Sequence, residues 1–219
     1  HGKSIVKINA DGDLYLFNPQ TKSTKKVESS SPPSASVTHK FKKGENGKIY
    51  ITAMQASHAA EFDMQTNQIQ TFPMGQAGSI VPHEGKVYFG TYPGANVHVF
   101  DPKEAIGSTN PKFLFASGEK QDRLMYGIVG GDGKIYIPSI PDYGELGGAI
   151  VMFDPKDPIQ SQQTFRHIVK NQSIISLTYF DRKIFGSTSI QGGLGAKPTE
   201  VEAKLFIWDV DEQRKMIEF

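Results

Sequence analysis

The sequence predicts an all-β fold of the β-propeller class, and three observations lead to this prediction. A short phrase recurs five times: Gly-Lys-aliphatic-aromatic, a variable loop, and then an aromatic residue followed by Asp or Asn. The copies are spaced at about 40 to 55 residues, which is the length of one propeller blade. Strand-like runs are separated by turn pairs such as Asn46-Gly47 and Asp132-Gly133, and no long segment has helical periodicity.

Blade three shows the predicted order of strands within one repeat. Residues 86–91 alternate and predict strand B, residues 96–100 predict strand C, and residues 112–116 predict the outer strand D. The next inner strand, A, is expected at residues 124–130 in blade four. The same order in every copy predicts a single propeller domain or propeller fragment with blades at approximately 1–30, 31–74, 75–117, 118–169 and 170–219.

The first repeat starts at strand B, so the five predicted blades of four antiparallel strands lack one inner strand. A closed ring must cover the edges of its sheets. We therefore expect the five blades to belong to a larger ring of six to eight blades. The expected partners include the remaining blades or further domains of a longer chain.

The composition excludes several classes of function. Charged residues make up 21% of the chain and balance to a net charge of +1, so there is no basic excess for nucleic acid. No apolar run approaches the roughly 18 residues that a membrane-spanning helix needs. The chain has no cysteine, which excludes disulfides and thiol chemistry.

The B–C loops are the part of the repeat that differs between copies. They are predicted at residues 52–59, 91–95, 138–148 and 187–203. The D-to-A connections lie at the same end of the propeller, and varied loops on a rigid scaffold tend to carry function. Because the loops lengthen toward the end of the sequence, we expect a cleft beside blades three to five.

Candidate binding residues come from this loop face. His58 lies in the loop of blade two, while Tyr92, Tyr126 and Tyr143 are the aromatic residues expected to stack against a sugar ring. For each tyrosine, packing within the scaffold is the alternative.

Amide and carboxylate groups recur in the same region. Gln76, Gln121 and Gln172 each precede an inner strand by a few residues, where they could bind sugar hydroxyls or hydrogen-bond the backbone of the neighbouring blade. Glu145 and Glu200 lie in the two longest loops. They could act as acid and base, hold Ca²⁺ or Mg²⁺ through their oxygens, or remain solvated. The six histidines show no metal-ligand spacing, and the sequence predicts no cofactor.

Two segments, 90–102 (GTYPGANVHVFDP) and 192–209 (GGLGAKPTEVEAKLFIWD), resemble those of bacterial propellers of the SMP-30, YWTD and virginiamycin B lyase-like superfamily. The resemblance implies a surface or secreted bacterial protein. That superfamily includes lactonases, lyases and pure binding domains. The lyase site would need His and Glu around Mg²⁺ at inner positions, and the sequence does not supply that set.

The sequence therefore favours a non-catalytic, extracellular binding module that recognises a carbohydrate or protein partner through the B–C loop face. The alternative is a metal-assisted lyase or lactonase with its site in the same face.

Overall fold

The computed structural model describes residues 4–8, 14–27 and 37–219. Blade one contains β1 (Ile5–Ile8), β2 (Leu14–Asn18) and β3 (Ser23–Val27). Blade two contains β4 (Thr38–Lys43), β5 (Ile49–Ala53), β6 (His58–Asp63) and β7 (Gln68–Pro73). Blade three contains β8 (Gln76–His83), β9 (Lys86–Tyr92), β10 (Asn96–Phe100) and β11 (Lys112–Ala116). Blade four contains β12 (Gln121–Leu124), β13 (Ile128–Val129), β14 (Ile135–Pro141), β15 (Ala149–Phe153), α1 (Pro158–Ser161) and β16 (Gln163–Arg166). Blade five contains β17 (Ser173–Phe180), β18 (Lys183–Ser189), β19 (Leu205–Asp209) and β20 (Arg214–Glu218).

The all-β prediction is confirmed, because every described blade is an antiparallel sheet, and the strands of blades two to five follow the order A to D. Within the described residues, the first sheet has three strands and starts at strand B, as the repeat predicts.

The inner strand of blade four differs from the prediction, since it is divided into β12 and β13, which both pair with β14. Gly127 lies at the break, where its N–H donates to the Ser79 hydroxyl at 3.0 Å. A side chain there would come within 2.6 Å of Val81, so the close approach of blade three excludes any larger residue.

The two aromatic residues of each repeat face opposite neighbouring blades, because successive side chains of a strand alternate between the two faces of the sheet. In blades two to four the ring in strand B packs against the next blade, and in blades three to five the ring in strand C packs against the preceding blade. Across the three interfaces between blades two and five, the pairs are Tyr50–Phe100, Tyr88–Phe153 and Tyr136–Trp208, with ring centroids 6.0, 5.5 and 6.2 Å apart.

The polar residue after the strand-C aromatic closes the turn that follows in all five copies. Its side-chain oxygen accepts a hydrogen bond from the backbone N–H two residues later, which is an Asx turn. The five acceptors are Asn18, Asp63, Asp101, Asp154 and Asp209, with distances between 2.8 and 2.9 Å. These residues are turn formers, as the sequence predicts.

Blade five has an open apolar face. Phe185 occupies the repeat position of Tyr136, yet it is 36% exposed whereas Tyr136 is 1% exposed. A row of opposed residues on this face joins Phe185 to Ile207 and Ile217. The row borders a groove of about 370 Å³ that also includes Leu205. Here the repeat presents an interblade surface that no other described blade covers.

Matched substitutions test this description of the interblade faces. We expect Tyr136→Ala to lower the free energy of unfolding by about 3–5 kcal/mol, because it leaves a cavity beside Trp208. Phe185→Ala should cost about 1 kcal/mol, because its ring is already partly in water. Urea denaturation followed by circular dichroism measures both, and equal losses would contradict an open face on blade five.

Candidate functional site

The B–C loops of blades four and five are hydrogen-bonded to each other at one end of the propeller. The N–H of Gly193 donates to the carbonyl of Glu145 at 2.9 Å, and the N–H of Gly144 donates to the carbonyl of Leu194 at 3.0 Å. A Cβ on Gly193 would lie 1.7 Å from the Asp142 carbonyl oxygen. The glycines of this segment therefore permit close packing of the two loops.

A groove of about 310 Å³ lies between these loops and β12. Its wall combines polar groups of Asp122, Arg123 and Gln191 with apolar surface from Ile140 and Leu194. Apolar walls with a few placed polar groups are typical of small-ligand sites. The groove lies within the region, blades three to five, where the loop lengths predict a cleft.

Tyr92, Tyr143 and Arg123 form a cluster at the groove. The two tyrosine hydroxyls share a hydrogen bond of 2.7 Å, and the Arg123 guanidinium lies 4.1 Å from the centroid of the Tyr92 ring. The hydrogen bond to Tyr92 raises the pKa of Tyr143, while the nearby Arg123 opposes that shift. Tyr143 is 51% exposed, so its ring is available to a ligand although its hydroxyl is held.

A second aromatic–cation pair involves Tyr126, which lies between β12 and β13 and is 50% exposed. Lys40 of β4 donates a hydrogen bond to the Tyr126 hydroxyl, and its ammonium lies 3.9 Å from the ring centroid. The neighbouring His39 is half-buried, and its pKa is lowered by burial and then by the charges of Lys40 and Arg123. Both cations therefore lie within electrostatic range of one imidazole.

The glutamine side chains form hydrogen bonds within the scaffold. Gln121 and Gln172 are 5% and 2% exposed, and their amide nitrogens donate to backbone carbonyls within their own blades. Gln76, the third member of this recurrence, instead contacts the neighbouring blade two. The donors to the three side-chain oxygens are the Gln55 N–H for Gln76, the Ser139 hydroxyl for Gln121 and the Thr188 hydroxyl for Gln172, at 3.0, 2.6 and 2.5 Å. Because their polar atoms are occupied, Gln121 and Gln172 have no free group to offer a ligand.

The two loop carboxylates form ion pairs. Glu145 lies 2.7 Å from Lys120 and 3.2 Å from Arg166, and hydrogen bonds from these two cations lower its pKa. Glu200 lies 3.8 Å from Lys170. In the part of the chain that the structure describes, no group of three or more His, Asp or Glu residues could hold a metal ion.

His58 is exposed on blade two, where its Nδ1 lies 3.0 Å from the Ser57 hydroxyl. The structure does not bring His58, Glu145 or Glu200 into the lining of the groove beside Arg123.

Sequence analysis did not identify Arg123 and Lys40. Both lie on inner strands, and the repeated phrase covers only strands B and C. No short motif marks a strand cation that meets a tyrosine from another strand, so the sequence offered no signal for either residue.

The propeller architecture is shared with known structures. Virginiamycin B lyase from Staphylococcus aureus is 13% identical with a TM-score of 0.62, and the match covers 100% of this chain and 70% of that chain. A streptogramin B lyase structure gives 10% identity and a TM-score of 0.62, covering 100% and 68% of the two chains. The fold is that of a β-propeller.

Other solved neighbours include a chain of a nidogen/laminin complex, with 10% identity, a TM-score of 0.52 and coverage of 100% of this chain and 80% of that chain. Identities this low show the fold alone, and they support a propeller-like fold without selecting one superfamily. No family model and no curated protein matches the sequence. Within the described ranges, no helix has the length and apolar character to cross a membrane.

Gly193→Ala tests the locked loops. We expect it to lower the free energy of unfolding by about 1–3 kcal/mol and to speed amide hydrogen exchange in residues 190–197, because the new methyl group overlaps the Asp142 carbonyl. Gly107→Ala is the matched control, since a Cβ there has no atom within 4 Å. Unchanged exchange in Gly193→Ala would show that the loops separate without cost.

Proposed function

We propose that this chain is a non-catalytic binding module of an extracellular protein that recognises a carbohydrate through the B–C loop face. The observation that carries the proposal is the half-exposed ring of Tyr143 in the lining of the groove, together with the half-exposed ring of Tyr126 between β12 and β13 of the same blade. An aromatic face offers a flat apolar surface to the C–H face of a sugar, while the groove supplies hydrogen-bonding groups.

The ring positions support binding because they are held before a ligand arrives. Tyr143 is fixed through the hydroxyl of Tyr92, and Tyr126 through the ammonium of Lys40. Ordering a side chain on binding costs free energy, so a pre-oriented ring retains more of its contact energy as affinity. A protein partner is the other candidate ligand, and it would use the same exposed rings.

The carbohydrate proposal predicts that Tyr143→Ala weakens binding about tenfold, which corresponds to a loss of about 1.4 kcal/mol of stacking contact. Tyr143→Phe should retain more affinity, since it keeps the ring. Phe180→Ala is the control, because this ring is 72% exposed and lies at the end of β17 that is away from the loop face. A glycan array followed by calorimetry measures the effect, and the absence of binding to any glycan would overturn the carbohydrate proposal.

We also infer that the open face of blade five packs against a further blade of the complete ring. Support comes from Phe185 at the position of Tyr136, and from Leu205 and Phe219, which are 60% and 63% exposed on that face. Burying these residues against a sheet would complete the packing seen between the other blades. A stability loss for Phe185→Ala as large as that for Tyr136→Ala would show that the face is already covered, and would contradict this inference.

The second candidate function is a metal-assisted lyase or lactonase. In its favour, Glu145 is held ionised by Lys120 and Arg166, and the solved neighbours include two lyases. This function requires Mg²⁺ or Ca²⁺ binding and turnover that Glu145→Ala or Glu200→Ala abolishes.

The binding-module proposal predicts the opposite outcome for these tests. Calorimetry with Mg²⁺ and Ca²⁺ should show no site of micromolar affinity, because the nearest cations already occupy the oxygens of Glu145. Assays with lactone and macrocyclic ester substrates should show no turnover above the uncatalysed rate. Turnover by the unmodified chain that disappears in Glu145→Ala would promote the enzyme.

A further inference from the structure

Lys40 and Arg123 differ from four other cations at the loop face. Those four have carboxylate partners: Lys120 and Arg166 with Glu145, Lys170 with Glu200, and Lys204 with Glu202. In the described part of the chain, no carboxylate lies within ion-pair distance of Lys40 or Arg123; their partners are the tyrosines.

Contact with a tyrosine ring positions a cation without neutralising it. The ring of Tyr92 holds the guanidinium of Arg123, and Tyr126 holds the ammonium of Lys40. A guanidinium has five N–H donors and an ammonium has three, so most donors remain available for an anion. Tyr126, which contacts Lys40, is one ring of the proposed sugar-stacking surface, and Tyr92, which contacts Arg123, holds the hydroxyl of the other ring, Tyr143.

The two cations flank the inner strand of blade three. Gly78 of that strand is the point of closest approach, since a Cβ on it would lie 2.4 Å from the Leu124 carbonyl and 3.8 Å from the His39 imidazole. His39 precedes Lys40, and Leu124 follows Arg123. The absence of a side chain at Gly78 therefore lets the inner strands of blades two and four, which carry Lys40 and Arg123, both approach the inner strand of blade three.

Two carboxylates at this end engage backbone N–H groups. Asp122 is 5% exposed and accepts a hydrogen bond from the N–H of Gly94 at 2.8 Å. Asp142 accepts from the N–H of Tyr143 at 2.7 Å. Neither is within ion-pair distance of Arg123 or Lys40, so both cations remain available to a negatively charged ligand.

We propose that the ligand of this face is an acidic carbohydrate, with a uronate carboxylate bound by Arg123 and Lys40 while its sugar ring stacks on Tyr143 or Tyr126. This inference rests on the proposed carbohydrate binding and specifies its substrate class. A carboxylate fits Arg123 because the planar fork of arginine matches its two oxygens, and a sulfate ester is the other anion that the test below distinguishes.

The test compares three polymers by calorimetry at low and physiological salt: polygalacturonate, its methyl ester, in which the same backbone lacks the charge, and dextran sulfate. We expect the unmodified chain to bind polygalacturonate at least tenfold more tightly than the methyl ester, with an affinity that falls as salt rises. Arg123→Gln and Lys40→Gln should each weaken polygalacturonate binding about tenfold or more. Arg123→Lys should have an intermediate effect, since it keeps the charge but loses the fork.

Lys103→Gln is the matched control, because this exposed lysine lies in the turn after β10, at the other end of the blade. The affinity of the Lys103→Gln variant for polygalacturonate should equal that of the unmodified chain. Melting curves should show that all variants are folded. Equal binding of the ester and the acid overturns the acidic ligand but leaves carbohydrate binding standing. Equal binding of dextran sulfate, or an equal loss in Lys103→Gln, would show nonspecific charge attraction and overturn the site. Binding to none of these polymers or to any array glycan overturns both proposals.

Discussion

The packing of each sheet against the next is the interaction on which the rest of the structure depends. One four-stranded blade cannot bury both of its faces, so the alternation of strand residues must match two different neighbours. Val87 and Tyr88 show how this works: they are adjacent in β9, and they are buried in two different interblade cores, one toward blade two and one toward blade four. At each of the three interfaces between blades two and five, one strand-B ring and one strand-C ring form the same buried pair.

The rigid scaffold leaves the loop face free to vary, and the candidate site follows from that freedom. The long loops of blades four and five contact each other through backbone hydrogen bonds, which only glycine permits at Gly193. The cations of the proposed site come from elsewhere, because Lys40 and Arg123 lie on the inner strands of blades two and four. The proposed site thus combines variable loops with side chains of the scaffold strands.

The sequence predicted most of the fold but only part of the candidate site. Strand order, the Asx turns and the buried strand-C rings follow from local pattern, because turn geometry and alternation depend on neighbouring residues. Tyr92, Tyr126 and Tyr143 were identified from their places near the loop face, and the structure puts the first and last in direct contact. The division of the inner strand at Gly127 was not predicted, since its cause is the approach of Val81 from another blade.

By itself, the sequence determined the propeller architecture, the order of the strands within each repeat, and the end of the blades at which the variable loops lie. The tertiary structure decided which polar groups are available at that end. Gln121 and Glu145 have hydrogen-bond and ion-pair partners within blade four, whereas Lys40 and Arg123 contact tyrosines. The physical reason is that hydrogen-bond and charge satisfaction depends on residues far apart in sequence. The repeated phrase therefore encodes the scaffold, and only the assembled blades define what the scaffold can bind.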